Sequence, residues 1–248
     1  MKRSNNRIDA KLNISKVFGD ISVKKRKEPS LPPKNSKEAN KILDELWEIS
    51  PVLSLCSQMQ SLTGLRYSDA AWLRFDDFDA PNGKDYVDTF LVIQQKVFNM
   101  LSHNRYKGSD YSESEAIKSS TVKVYVNKEI IEVVEECKRL NPNGEYLFSN
   151  KRSGFVNGEG EKVERPMSIN SASEHHAKVA NKLKLNYPLG THSWRKYFAK
   201  LLLERGASIV DIRDLLGHLS VNSTNTYLLT FDEKLKNIVK EISLREGI

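Results

Sequence analysis

Sulfur is scarce in this chain: Cys56 and Cys137 are its two cysteines in 248 residues. Two thiols cannot build a disulfide framework or a zinc cage. Both lie in helix-like apolar contexts and read as small buried thiols of a reducing compartment. Long apolar runs are missing as well. The longest, such as Lys200-Leu201-Leu202-Leu203, fall far short of the roughly 20 residues that cross a bilayer. The polar, basic N-terminus lacks the apolar core of a secretory signal. No P-loop, paired-carboxylate metal motif or Cys/His zinc spacing occurs, and no repeat of fixed period is visible. The expectation is a cytoplasmic protein that uses no membrane, no metal and no other cofactor.

What the chain has is positive charge. Lys and Arg number 39 against 32 Asp and Glu, for a formal charge of +7 and a pI near 9.2. That balance favours a polyanionic partner, nucleic acid first. A hydrophobic content of 39% with 29% charged residues fits a globular protein with a polar surface. The length allows one large domain or two small ones.

Residues 1–36 are rich in Lys, Arg, Asn and Ser, include Lys24-Lys25-Arg26-Lys27 and Pro32-Pro33, and read as a basic arm or linker. Such an arm either stays solvated or lies along phosphates. From Ser36 the period turns helical, with Ile42, Leu43, Leu46 and Trp47 on one side. Further helices are expected near Pro51–Leu62, ending at Gly64, and from Ser68 to Leu73. The β-branched and aromatic stretches Thr89–Ile93 and Thr121–Val126 read as strands. The polar insert Ser102–Glu115 between them reads as a long hairpin connection. Helical patterns return over Lys128–Leu140, Ser168–Leu185, Ser193–Arg205, Ser208–Leu216, Ser223–Leu228 and Asp232–Leu244, with Gly206 at a helix C-cap. The layout predicts a mostly helical chain with a small antiparallel sheet in its first half.

Five polar residues stand out against this background. Arg66 lies in Thr63-Gly64-Leu65-Arg66-Tyr67-Ser68-Asp69, His192 and Arg195 in Thr191-His192-Ser193-Trp194-Arg195, His218 in Leu215-Leu216-Gly217-His218, and Tyr227 in Thr224-Asn225-Thr226-Tyr227. Cleaving a phosphodiester with a side-chain nucleophile needs a hydroxyl in line, cations around the non-bridging oxygens and an acid for the leaving oxygen. Arginine suits the second task because its planar fork donates two hydrogen bonds and keeps its charge. Histidine can donate or relay a proton near neutral pH. A phenol, with pKa about 10, needs cations to favour its oxyanion. Singly, each residue reads as a surface, cap or core position. Jointly they make a phosphoryl-transfer kit.

The order and local context of these residues resemble the tyrosine recombinase (phage integrase) family. Shared features are a Gly-Leu-Arg turn with an acidic residue three positions on (Arg66, Asp69), a His-x-x-Arg helix start, and a Leu-Gly-His turn with a Tyr nine positions later. The likeness runs from about Leu46 to Leu228 and is strongest over Thr191–Tyr227. It implies an α+β, mainly helical catalytic domain with a small antiparallel sheet, here 37–228. It also implies that Arg66, His192, Arg195 and His218 bind and activate the scissile phosphate, that Asp69 supports the arginines, and that Tyr227 attacks.

The family draws its general acid from a lysine of the β-hairpin. Two residues match: Lys118, at the start of the second strand and favoured, and Lys96, at the end of the first. The resemblance further implies double-stranded DNA as substrate, a homotetramer on DNA, accessory DNA-bending proteins, and a place with the nucleoid. The amphipathic tail 229–248, with Leu235, Ile238, Val239 and Ile242, packs on its own domain or docks on a neighbouring protomer. Members usually carry a helical core-binding domain before the catalytic one. Here a basic stretch of only about forty residues precedes it, which suggests a fragment or a minimal member. Two other readings stay open: a type IB topoisomerase-like nicking and closing enzyme, and a non-catalytic helix-turn-helix protein built on Ser208–Tyr227.

Overall fold

The computed structural model describes residues 28–83, 85–103, 110–150, 156, 158–160, 163–220 and 223–224. Tyr227, the tail 229–248 and most of the expected basic arm lie outside the described residues.

Helix α1 (Ser36–Ile49) starts where the Asn35 side chain accepts the Glu38 N–H at 2.9 Å, and it buries Ala39, Ile42 and Leu46. Ser50 then caps α2 (Pro51–Thr63), with proline at the helix start where no N–H is needed. Helix α2 is the spine of the core. Leu53, Met59 and Cys56 on it are almost fully enclosed, and α1, α6 (Lys128–Leu140) and α8 (Thr191–Glu204) pack against it. Each large apolar side chain so enclosed contributes about 2 kcal/mol of transfer free energy.

Strands β1 (Thr89–Ile93) and β2 (Thr121–Tyr125) pair antiparallel, with Thr89 opposite Tyr125 and Ile93 opposite Thr121. Their period-two pattern sends Val122 and Val124 into the core and leaves Leu91, Ile93 and Tyr125 exposed. Both strands were legible in the sequence to within a residue. Helices α7 (Ile169–Lys182) and α9 (Ile209–Leu216) complete the layers around α8. The fold is α+β and mainly helical, and among the described residues no helix is long and apolar enough to cross a membrane.

One stretch differs from expectation. The polar insert is no plain hairpin connection: α4 (Gln95–Ser102) and α5 (Glu113–Ser120) flank residues 104–109, which are not described. Ser112 and Glu115 form a reciprocal capping box that starts α5, and Val97, Leu101 and Ala116 join in a small core of their own. Lys96 therefore sits in the first turn of α4 and Lys118 in the last turn of α5, neither of them on a strand.

Candidate active site

Two glycine turns and one helix start build the site. Helix α2 stops at Gly64, whose φ of +71° is left-handed. A β-carbon there would meet Phe198 Cδ1 of α8 at 2.4 Å, so this position demands glycine both for its conformation and for the closeness of α8. Leu65 plugs into the core, and Arg66 emerges half-buried at the cap of the single turn α3 (Tyr67–Ala70). The fully buried Gln60 donates to Leu65 O at 3.1 Å and to Thr191 O at 3.2 Å, tying the Arg66 turn to the start of α8.

That start carries His192 and Arg195. Its pitch is set by Trp194, fully buried, which donates Nε1–H to His176 Nε2 of α7 at 2.8 Å. The third element is the end of α9. Gly217, at φ +61°, would push a β-carbon to 2.2 Å from Val122 Cγ1 of β2. The turn then presents His218, whose N–H bonds Arg213 O at 3.0 Å and whose Nδ1 lies 2.9 Å from Thr224 Oγ1.

Arg195 is wholly enclosed. It donates from Nη1 to Gly64 O and from Nη2 to Leu216 O, both at 2.6 Å, and so locks the Arg66 turn, its own helix and the His218 turn together. Gln94, between β1 and α4, reaches the same carbonyl, donating Nε2–H to Leu216 O at 2.9 Å while its Oε1 accepts from Arg66 Nη1. The hydrogen bonds run from Gly64 O through Arg195, Leu216 O and Gln94 to Arg66, and the chain itself closes the ring.

Burial and neighbouring charge act together on the titratable groups of this site. Desolvation, then the charges of Arg195 and Arg66, hold the His218 imidazole at about 3. His192 keeps one face open to solvent. Its desolvation is partial, yet with the charges of Arg195, Arg66, Lys96 and Lys196 it is brought down to about 4. Both imidazoles are thus neutral at physiological pH, each with one N–H to donate. Asp69 is pushed upward by burial, against the pull of the Gln95 N–H at 3.2 Å, of Arg66 and Arg195, and of Ser68. Lys196, lowered by burial, donates to Ser30 O at 2.6 Å.

The charges of Arg66, Arg195, Lys96 and Lys196 act at His192 and those of Arg66 and Arg195 at His218, an arrangement that suits an anionic ligand; His192 also lines a cleft of about 410 Å³ with Glu28, Tyr187, Gly190 and Thr191. Of the residues singled out from sequence, Arg66, Asp69, His192, Arg195 and His218 come together, and Lys96 acts electrostatically at His192. Lys118 is exposed at the end of α5, and Tyr227 lies outside the described residues. Gln60, Gln94 and His176 were not singled out. Nothing in their local sequence marks them, because each acts through a partner 18 or more residues away.

The family model described as the phage integrase family matches residues 34–234. The tyrosine recombinase XerC of Bacillus subtilis is 25% identical over 207 residues, covering 79% of this chain and 58% of that protein. XerC of Treponema denticola is 26% identical over 204 residues, covering 79% and 56%. The chain thus spans somewhat over half the length of these curated relatives. Among solved structures, the post-cleavage complex of the XerH site-specific recombinase with its palindromic difH substrate matches with a TM-score of 0.55 at 21% identity, covering 87% of this chain and 54% of that one. The Tn1549 transposon integrase in complex with transposon right-end DNA matches at 0.55 and 15%, covering 93% and 70%. At these identities the structures establish a shared fold.

Proposed function

The chain belongs to the phage integrase family, and on that footing we propose that it is the strand-transfer module of a site-specific recombinase acting on double-stranded DNA. The observation that carries this reading is the hydrogen-bonded ring that joins Arg66 and Arg195, with His192 and His218 under the influence of both.

In the proposed reaction Arg66 and Arg195 neutralise the non-bridging oxygens of one phosphate, and the neutral histidines donate hydrogen bonds to it. Tyr227 attacks the phosphorus in line and releases its phenol proton to water, the P–O5′ bond breaks, and the 5′-oxygen leaves as a hydroxyl after taking a proton from the acid. The 3′-phosphotyrosyl bond conserves the energy of the broken ester, so a 5′-hydroxyl from a partner duplex displaces the tyrosine without ATP. Exchange between two duplexes calls for four such sites, hence a tetramer on DNA. Accessory DNA-bending proteins and a place with the nucleoid belong to the same proposal.

For the proton donor we infer Lys96, on the ground that its charge acts at His192; Lys96 and Lys118 are both exposed, in the first turn of α4 and the last turn of α5. A substrate with a 5′-bridging sulfur needs no acid. Lys96→Ala is expected to slow cleavage of ordinary DNA by ~10²–10⁴-fold and to recover on the thio substrate. Recovery of Lys118→Ala alone would return the role to that residue.

The reading as a whole is tested by incubating the chain with a random-sequence pool of nicked duplexes, digesting the product, and locating the nucleotide-bearing peptide by mass. A phosphotyrosine at Tyr227 is the expected result. A Tyr227→Phe chain that links to DNA as before overturns the assignment. Relaxation of supercoiled plasmid with no exchange between duplexes would favour the topoisomerase-like alternative.

A further inference from the structure

We propose that Gln94 is the positioning residue that aims Arg66 at the reacting phosphate, and that it couples this arginine to the Gly217–His218 turn. The proposal rests on the strand-transfer reading above and deepens it. Gln94 is 1% exposed, and every polar group it has is engaged. Its N–H bonds Ser120 O at 2.9 Å, which fastens β1 to the start of β2, and its C=O accepts the N–H groups of Val97 and Phe98, which start α4. The backbone is thus fixed from both sides, and the amide can extend in one direction.

The amide's orientation is dictated by its neighbours. A guanidinium only donates and a carbonyl only accepts, so Oε1 must face Arg66 and Nε2 must face Leu216 O. Glutamate would lose the second bond, set a carboxylate oxygen against the carbonyl, and cancel the charge the phosphate needs. Leucine has the bulk and neither bond. Glutamine alone orients the guanidinium while leaving its charge intact. Leu216 O also receives Arg195, so a shift of the His218 turn is felt at both arginines through one atom. The tightness of that junction shows at Gly217, where an added β-carbon would lie 3.0 Å from Gln94 Nε2.

Two readouts test this. The first is nitrogen NMR of the guanidinium groups in the DNA-free chain. In Gln94→Leu the resolved Nη signals of Arg66 should merge as the group begins to rotate, whereas those of Arg195, still held by Gly64 O and Leu216 O, stay resolved and report an intact fold. The second is adduct formation on the nicked random-sequence pool. Gln94→Leu should slow it by ~10–100-fold with DNA affinity within threefold of wild type, and should cost less than threefold in an Arg66→Ala background. Unchanged Arg66 signals, or an equal loss in both backgrounds, overturns the positioning role. A wild-type chain that never links to DNA sinks the strand-transfer reading, and with it the catalytic half of this proposal. The NMR result is independent of that outcome and decides the contact itself.

Discussion

Replacing Arg195 by alanine is expected to remove covalent linkage to DNA by at least ~10³-fold and to destabilise the fold by about 3–5 kcal/mol. Two effects combine. The phosphate loses one of its two guanidinium partners, and the buried Gly64 O loses its donor while Leu216 O is left with Gln94 Nε2–H alone. The orphaned Gly64 O costs about 1–3 kcal/mol, the emptied site of a fully buried side chain adds to it, and the two turns the arginine joined carry Arg66 and His218. Arg195→Lys separates the two contributions. It restores the charge, yet a single ammonium on a narrower stem cannot span both carbonyls. It should recover part of the stability in urea unfolding and little of the adduct yield. If Arg195→Ala unfolds at the wild-type urea midpoint, the ring of hydrogen bonds does not hold these turns together. If Arg195→Lys links DNA at the wild-type rate, the bidentate role assigned to this arginine is wrong.

The dual role of Arg195 marks the boundary of what the sequence could reveal. Its chemistry was legible, because Thr191-His192-Ser193-Trp194-Arg195 is a short motif on one helical turn. Its enclosure was not, because the carbonyls it grips come from turns 131 and 21 residues away. The same logic explains the other outcomes. Strands such as Thr89–Ile93 and helices such as Lys128–Leu140 follow from local period and were bounded correctly. Gly64, the expected helix stop, and Gly217 of the Leu-Gly-His turn are both left-handed. What local period could not convey is that α8 and β2 approach so closely that a single methyl group has no room.

The insert between the strands departs from its sequence pattern for the converse reason. The Ser112–Glu115 capping box and the Val97–Leu101 pair are genuine helix signals, but a long polar segment between two strands outweighed them. Gln94 is the clearest case of silence. A glutamine after an apolar strand carries no signal until the fold brings an arginine and a carbonyl to opposite ends of its amide.

Acid should weaken this protein in a way that traces to one histidine. His176 is completely buried under the active-site helix. Its Nε2 accepts from Trp194, so its proton sits on Nδ1, 2.7 Å from Ala172 O, and the ring must be neutral to serve both. Burial, opposed by the Ala172 bond and assisted by His175, holds its pKa at about 4 against an ordinary 6.5. The unfolded chain therefore binds this proton more tightly than the folded one. The stability conferred by the neutral ring is complete above pH 6.5 and is lost as pH falls from 6.5 toward 4, by about 3 kcal/mol in all. His192 and His218, shifted the same way, add smaller amounts because solvent reaches them. A His176→Gln variant keeps an acceptor for Trp194 and cannot titrate. Its urea midpoint should fall slightly below wild type at pH 7, then converge with wild type as both are taken to pH 4.5. His176→Phe leaves the Trp194 N–H buried without an acceptor and should lose about 1–3 kcal/mol at pH 7, while showing the same flattened pH dependence. Carboxylates contribute equally to all three proteins, so the difference between the curves isolates the histidine. Parallel curves for wild type and His176→Gln from pH 7 to 4.5 would mean that the proton enters this site without cost, and that the contact fixing the pitch of α8 is not the buried neutral pair described here.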